Sequence, residues 1–63
     1  MWIKLKSGKL LNMANCSKIY CDNNTQRKAY RINYVSMESD VEMFDDEEKR
    51  DDRFNEIQKL LGV

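Results

Sequence analysis

From Trp2 to Lys6 apolar and polar positions alternate, with Ile3 and Leu5 on one face and Trp2, Lys4 and Lys6 on the other. That two-residue period is the signature of a half-buried β-strand. Ser7-Gly8 follows, and then Leu10, Leu11 and Met13. Glycine in the second loop position allows the positive φ of a two-residue hairpin, which predicts Leu5 opposite Leu10 and Lys4 opposite Leu11. Ala14-Asn15 reads as a turn. Cys16 to Cys21 reads as a third strand, sending Ile19 and Cys21 one way and Lys18 and Tyr20 the other. The polar run Asp22–Gln26 has loop composition, because Asn and Asp tolerate left-handed backbone and bond their own main chain. In Lys28–Val35, Tyr30, Ile32 and Tyr34 alternate with Ala29, Arg31, Asn33 and Val35, a strong strand pattern. Ser36–Asp40 forms a turn, and Val41–Phe44 a short last strand.

The period changes at Asp45. Phe54, Ile57 and Leu61 fall on one side of a helix running to Leu61, joined less squarely by Leu60. Asp45 or Asp46 supplies the N-cap, acids in the first turn match the positive end of the helix dipole, and Gly62 stands where helices commonly end. The half from Asp46 to Arg53 has no apolar residue. It is expected to project beyond the sheet, or to rest on it only through Glu47 and the Arg50 stem. Strands followed by one helix predict an α+β domain spanning residues 1–63. It comprises a small antiparallel meander of four to five strands over 1–44 and a helix over 45–61. The helix is expected to set Phe54, Ile57, Leu60 and Leu61 on Ile3, Leu5, Leu10, Ile19 and Ile32.

Size limits what such a domain can do. A 63-residue chain buries only about 60% of its unfolded surface, enough for one thin core and no deep substrate cavity. At 41% hydrophobic and 35% charged, with no proline, the chain is too apolar for disorder. No apolar run suits a signal peptide or a membrane span, so the protein is expected to be cytoplasmic, away from membranes, with Cys16 and Cys21 reduced. In an extended Cys16–Cys21 segment the odd spacing would send the two thiols to opposite faces. Histidine is absent, which removes the usual acid–base group near neutral pH and the usual partner of cysteine at zinc. Ser7, Ser17 and Ser36 have no evident base, and no glycine-rich phosphate loop or calcium loop is present. The expectation is a protein without catalytic residues, metal or cofactor.

Charge changes the picture most. Residues 1–37 hold seven basic side chains against Asp22 alone, a net +6; residues 38–63 hold ten acids against four basic side chains, a net −6. On the helix, Glu48, Asp52 and Glu56 form an i, i+4, i+8 ridge flanked by Asp45 and Asp51. At 1.5 Å rise per residue its carboxylates stand about 6 Å apart, close to the phosphate spacing of a nucleic-acid strand. Like charges at i, i+4 destabilise a helix by a few tenths of a kcal/mol per pair. The ridge therefore points to a face that docks on a host protein with a basic surface, though a solvated face with compensating Asp46–Arg50, Glu47–Arg50 and Glu56–Lys59 pairs is also compatible with it. The alternative is a nucleic-acid-binding sheet face using Lys4, Lys18, Lys28 and Arg31 among the aromatic residues. A third option is a subunit of a larger assembly. One helix covers one sheet face, so Trp2, Leu11, Met13 and Tyr20, with Val35, are expected to expose an apolar patch suited to a homodimer or another partner.

The opening WIKLKSGKLLNMANCSKIY, the Tyr-rich strand and the closing FDDEEKRDDRFNEIQKLLG together resemble short proteins of bacteriophages and mobile elements of low-GC bacteria. These carry a lysine-rich opening hairpin and an acidic lead into a final amphipathic helix. The resemblance implies an inhibitor or modulator of a host protein, of the anti-defence or anti-CRISPR kind, some of which act as DNA mimics.

Overall fold

The computed structural model describes residues 1–24 and 26–63. Strands β1 (Trp2–Lys4) and β2 (Leu10–Asn12) form an antiparallel hairpin, and a 3-10 turn over Met13–Asn15 leads out of it. Strands β3 (Lys18–Asn24), β4 (Ala29–Val35) and β5 (Ser39–Phe44) form a second antiparallel sheet in that order, and helix α1 (Glu47–Leu61) closes the chain. The class is α+β, with the helix packed on the sheet. The five strands do not make one continuous meander: they divide into a two-stranded and a three-stranded sheet.

The hairpin pairs one residue away from the expected register, with Lys4 opposite Leu10, Ile3 opposite Leu11 and Trp2 opposite Asn12. Its loop has three residues rather than two. The Gly8 N–H donates to the Leu5 carbonyl at 2.8 Å, the Leu5 N–H donates to the Lys9 carbonyl at 2.7 Å, and Gly8 takes a φ of 93°. This turn-plus-bulge geometry is the usual form of a three-residue hairpin loop. The reason for the slip is hydrophobic phase. Paired two-residue fashion, Leu11 would share a face with Lys4; shifted by one, Ile3, Leu5, Leu11 and Met13 all share a face, and all four are buried. Each such side chain contributes about 1.5–3 kcal/mol on burial, which outweighs the preference for a tighter turn. Leu10, expected in the core, is turned outward and exposed.

In the larger sheet, alternation and register together define two faces. Ile19, Cys21, Ile32, Tyr34, Tyr30, Glu42 and Phe44 share the inner one. Ile32, Tyr34 and Ile57 of α1 have essentially no exposure, and with Ile3, Leu5, Leu11 and Met13 they form the core. Phe54, Ile19, Cys16, Cys21 and Phe44 pack around it, whereas Leu60 and Leu61 stay on the surface. Both cysteines are free. Cys16 precedes β3 and packs against the core as Cys21 does, so the opposite-face arrangement expected of a strand spanning both does not arise. β3 runs on to Asn24 where a loop from Asp22 was expected, because Asp22 pairs with Arg31 across the strands and Asn23 accepts from Arg50. Thr25, within that expected loop, lies outside the described residues. Among the described residues, no helix is long and apolar enough to cross a membrane.

Candidate functional site

The acidic helix begins at Glu47, two residues after Asp45, the first acid of the expected 45–61 span. Asp46 is the N-cap: its Oδ1 accepts from the Glu48 N–H at 2.8 Å, and Asp45 lies outside the helix. Glu47 and Glu48 occupy the first turn at the positive dipole end, Lys59 the last turn, and Gly62 closes the helix at a left-handed φ of 77°.

The expected projecting half-helix is instead fastened down, and two arginines do it. Arg50 is 5% exposed. Its Nη1 donates to the Asp22 carbonyl at 3.0 Å and to Asn23 Oδ1 at 2.7 Å, and its guanidinium lies 5.8 Å from the centre of the Tyr30 ring. It is thus the charged head of Arg50, more than its stem, that holds the helix to the end of β3. Arg53 donates through Nε to Glu42 Oε1 at 3.3 Å and through Nη2 to the Lys4 carbonyl at 2.9 Å. Burial works against the charge on both arginines, but carboxylate partners outweigh it: Asp51 holds Arg50 protonated and Glu42 holds Arg53.

Glu42 is the buried centre of this arrangement, and it was not among the residues expected to matter. It is 3% exposed and accepts from the Tyr34 hydroxyl, the Lys6 N–H at 2.8 Å and Arg53. Three donors satisfy a carboxylate that would otherwise be costly to bury. Burial, and then the bond to Glu42, push the Tyr34 hydroxyl well above the usual phenol range. The sequence does contain a signal: in Val41-Glu42-Met43-Phe44, alternation sets Glu42 on the same face as Phe44, and hence on the core.

With the arginines turned inward, acids dominate the outward side of α1. The five expected ridge residues do not play one role. Asp51 accepts from Arg50 Nε at 2.8 Å and Glu56 from Arg53 Nη1 at 2.7 Å, so these two hold the anchoring arginines in place. Asp45, Glu48 and Asp52 are exposed and form no ion pair among the described residues. Of the expected compensating pairs, only Glu47–Arg50 forms, at 3.8 Å; Arg53 replaces Lys59 as the partner of Glu56.

The basic residues do not converge. Lys4 lies on the outer face of the hairpin, opposite Leu10, and Lys28 stands in the β3–β4 turn with a left-handed φ of 50°. Lys18 stacks over its neighbour Tyr20, 5.4 Å from the ring centre. Arg31 is clamped on both oxygens of Asp22, at 2.6 and 3.0 Å. The expected apolar patch also divides. Leu11 and Met13 are buried by the register slip, Trp2 is exposed on the hairpin, and Tyr20 is exposed on the outer face of the larger sheet. Among the described residues, no three His, Cys, Asp or Glu side chains come together as a metal site. Neither known protein families nor curated proteins nor solved structures offer a match to this chain.

Proposed function

We propose that the protein is a non-enzymatic binding module that presents the outer face of α1 to a basic, nucleic-acid-binding surface of another protein and blocks it. This is the action expected of a phage-type inhibitor or DNA mimic in a host cytoplasm. The observation that carries the reading is the sorting of charge within one helix. Arg50 and Arg53 are spent on the sheet, while Glu48 and Asp52, with Asp45 before them, stand outward and unpaired among the described residues. A helix fastened at Arg50, Arg53 and Ile57 holds its carboxylates in fixed positions, which lowers the ordering cost of binding. Complementary charge then sets the rate and the choice of partner.

The test is affinity capture from a bacterial lysate by the wild-type chain and by Glu48→Lys/Asp52→Lys, with circular dichroism to establish that the variant folds. Asp51 and Glu56 are left in place because they hold arginines. The expected result is a nucleic-acid-binding protein retained by the wild type, released by rising salt and lost by the variant. Equal capture by both proteins overturns the reading. So does a steeply salt-dependent gel shift with nucleic acid itself, which would return the function to Lys4, Lys18, Lys28 and Arg31.

A further inference from the structure

We infer that the hollow between the β3–β4 turn and the end of β5 binds a phosphate monoester. Lys6, Arg27 and Lys28 line it together with Met43 and Phe44, and Asp45 is the one acid. Its volume, about 390 Å³, falls within the roughly 300–1,000 Å³ of small-molecule sites. Of the four basic residues expected to bind nucleic acid, only Lys28 is here. Lys6 Nζ donates to the Met43 carbonyl at 2.9 Å and lies 4.5 Å from the centre of the Phe44 ring. That fixes one ammonium in the lining and leaves two of its three donors for a ligand. The Arg27 N–H donates to Asn24 Oδ1 at 3.3 Å, which pins the turn that carries Arg27 and Lys28. None of the three basic side chains forms an ion pair among the described residues.

The backbone of Lys28 supplies a second, independent observation. Its φ of 50° is the only positive value outside glycine among the described residues. Glycine or asparagine would hold that conformation at less cost than lysine does. The Lys28 side chain is exposed, so the fold gains no burial from it in return. A strained residue whose side chain stabilises nothing is retained for what that side chain binds. The charge of the lining then selects the ligand. Three cations against Asp45 leave a net +2, which a phosphate monoester, at about −1.5 to −2 near neutral pH, comes close to balancing. A phosphodiester or a carboxylate carries one charge and balances half of it. The Arg27 guanidinium suits two oxygens of one phosphate, with the two lysines as point charges beside it. Exposed Met43, next to Phe44, gives the body of the ligand an apolar surface to rest on. Neither Glu48 nor Asp52 lines the hollow, so the inference stands apart from the proposed use of α1.

Amide chemical shifts of the full chain, followed by NMR during titration with adenosine 5′-monophosphate, test the site. Adenosine 3′,5′-cyclic monophosphate, the same body with a singly charged diester, is the control. Saturable shifts at Lys6, Arg27 and Lys28 are expected with the monoester, and binding of the cyclic diester is expected to be about tenfold weaker or more. Lys28→Gly is expected to melt at a higher temperature than the wild type and to bind the monoester about tenfold more weakly, by loss of one charge-assisted hydrogen bond. Arg27→Gln, an exposed change that leaves the turn backbone alone, is expected to weaken binding by a similar factor with the melting temperature unchanged. The absence of saturable shifts overturns the inference, as does equal affinity for the monoester and the cyclic diester. So does full affinity in either variant, or a Lys28→Gly protein that melts lower, which would show that the fold itself keeps Lys28.

Discussion

At the scale of single residues, Glu42 is the side chain on which most converges. It joins the hairpin through the Lys6 N–H, β4 through Tyr34 and the helix through Arg53. Glu42→Ala strands three donors in the interior, and is expected to cost about 3–5 kcal/mol, a large share of the stability of a domain this small. Glu42→Gln, which keeps an acceptor but loses the charge, is expected to cost about half as much; urea denaturation measures both. Tyr34 adds a pH dependence of defined sign. Its folded-state pKa is raised, so the unfolded chain gives up this proton first as pH rises. The contribution is therefore whole below the ordinary phenol pKa of about 10 and is lost above it, by about 1.4 kcal/mol per pH unit. Denaturation curves at pH 8, 10 and 11 are expected to show that fall in the wild type, and a slope smaller by one proton in Tyr34→Phe.

At the scale of elements, α1 has two working faces that are set by different residues along its whole length. Ile57 and Phe54 read plainly from sequence as the buried stripe, because apolar residues at helical spacing gain free energy only by facing a core. The roles of Arg50 and Arg53 were not legible, since a guanidinium is buried only when acceptors from other elements meet it. Those acceptors, Asn23 and the Asp22 carbonyl for one and Glu42 and the Lys4 carbonyl for the other, lie far away in the chain. The same limit hid the hairpin register: the turn preference of Ser7-Gly8 is local, whereas the burial of Leu11 and Met13 that decides it belongs to the assembled core. The acidic ridge was legible as a charge pattern, but not its division into anchoring acids and free ones. Among the free ones, Asp52→Lys replaces two i, i+4 repulsions with two attractions to Glu48 and Glu56, and is expected to raise stability by about 0.5 kcal/mol while weakening partner binding. Stability gained as binding falls is the mark of a residue kept for function, and a thermal melt beside the capture assay reads both.

At the scale of the molecule, two small sheets must be made into one cooperative unit. A lone two-stranded hairpin is marginal in water, so β1 and β2 depend on what they are docked to. Part of that docking is apolar, through Ile3, Leu5, Leu11 and Met13. The polar part runs through a few long-range contacts, of which Arg53 makes two: one guanidinium reaches the Lys4 carbonyl of the hairpin and Glu42 of β5 while its backbone belongs to the helix. Arg53→Met keeps most of the stem's packing but removes those bonds and leaves Glu42 with two donors instead of three. It is expected to cost about 2–3 kcal/mol, by the penalty for depriving a buried carboxylate of a charged partner. The distribution of that loss is more telling than its size. If Arg53 is the polar link between the sheets, amide exchange at Ile3 and Leu11 should accelerate beyond exchange at Ile32 and Tyr34, because the hairpin would open without the larger sheet unfolding. Uniform acceleration at all four amides would instead show that the apolar contacts alone keep the two sheets together as one folding unit.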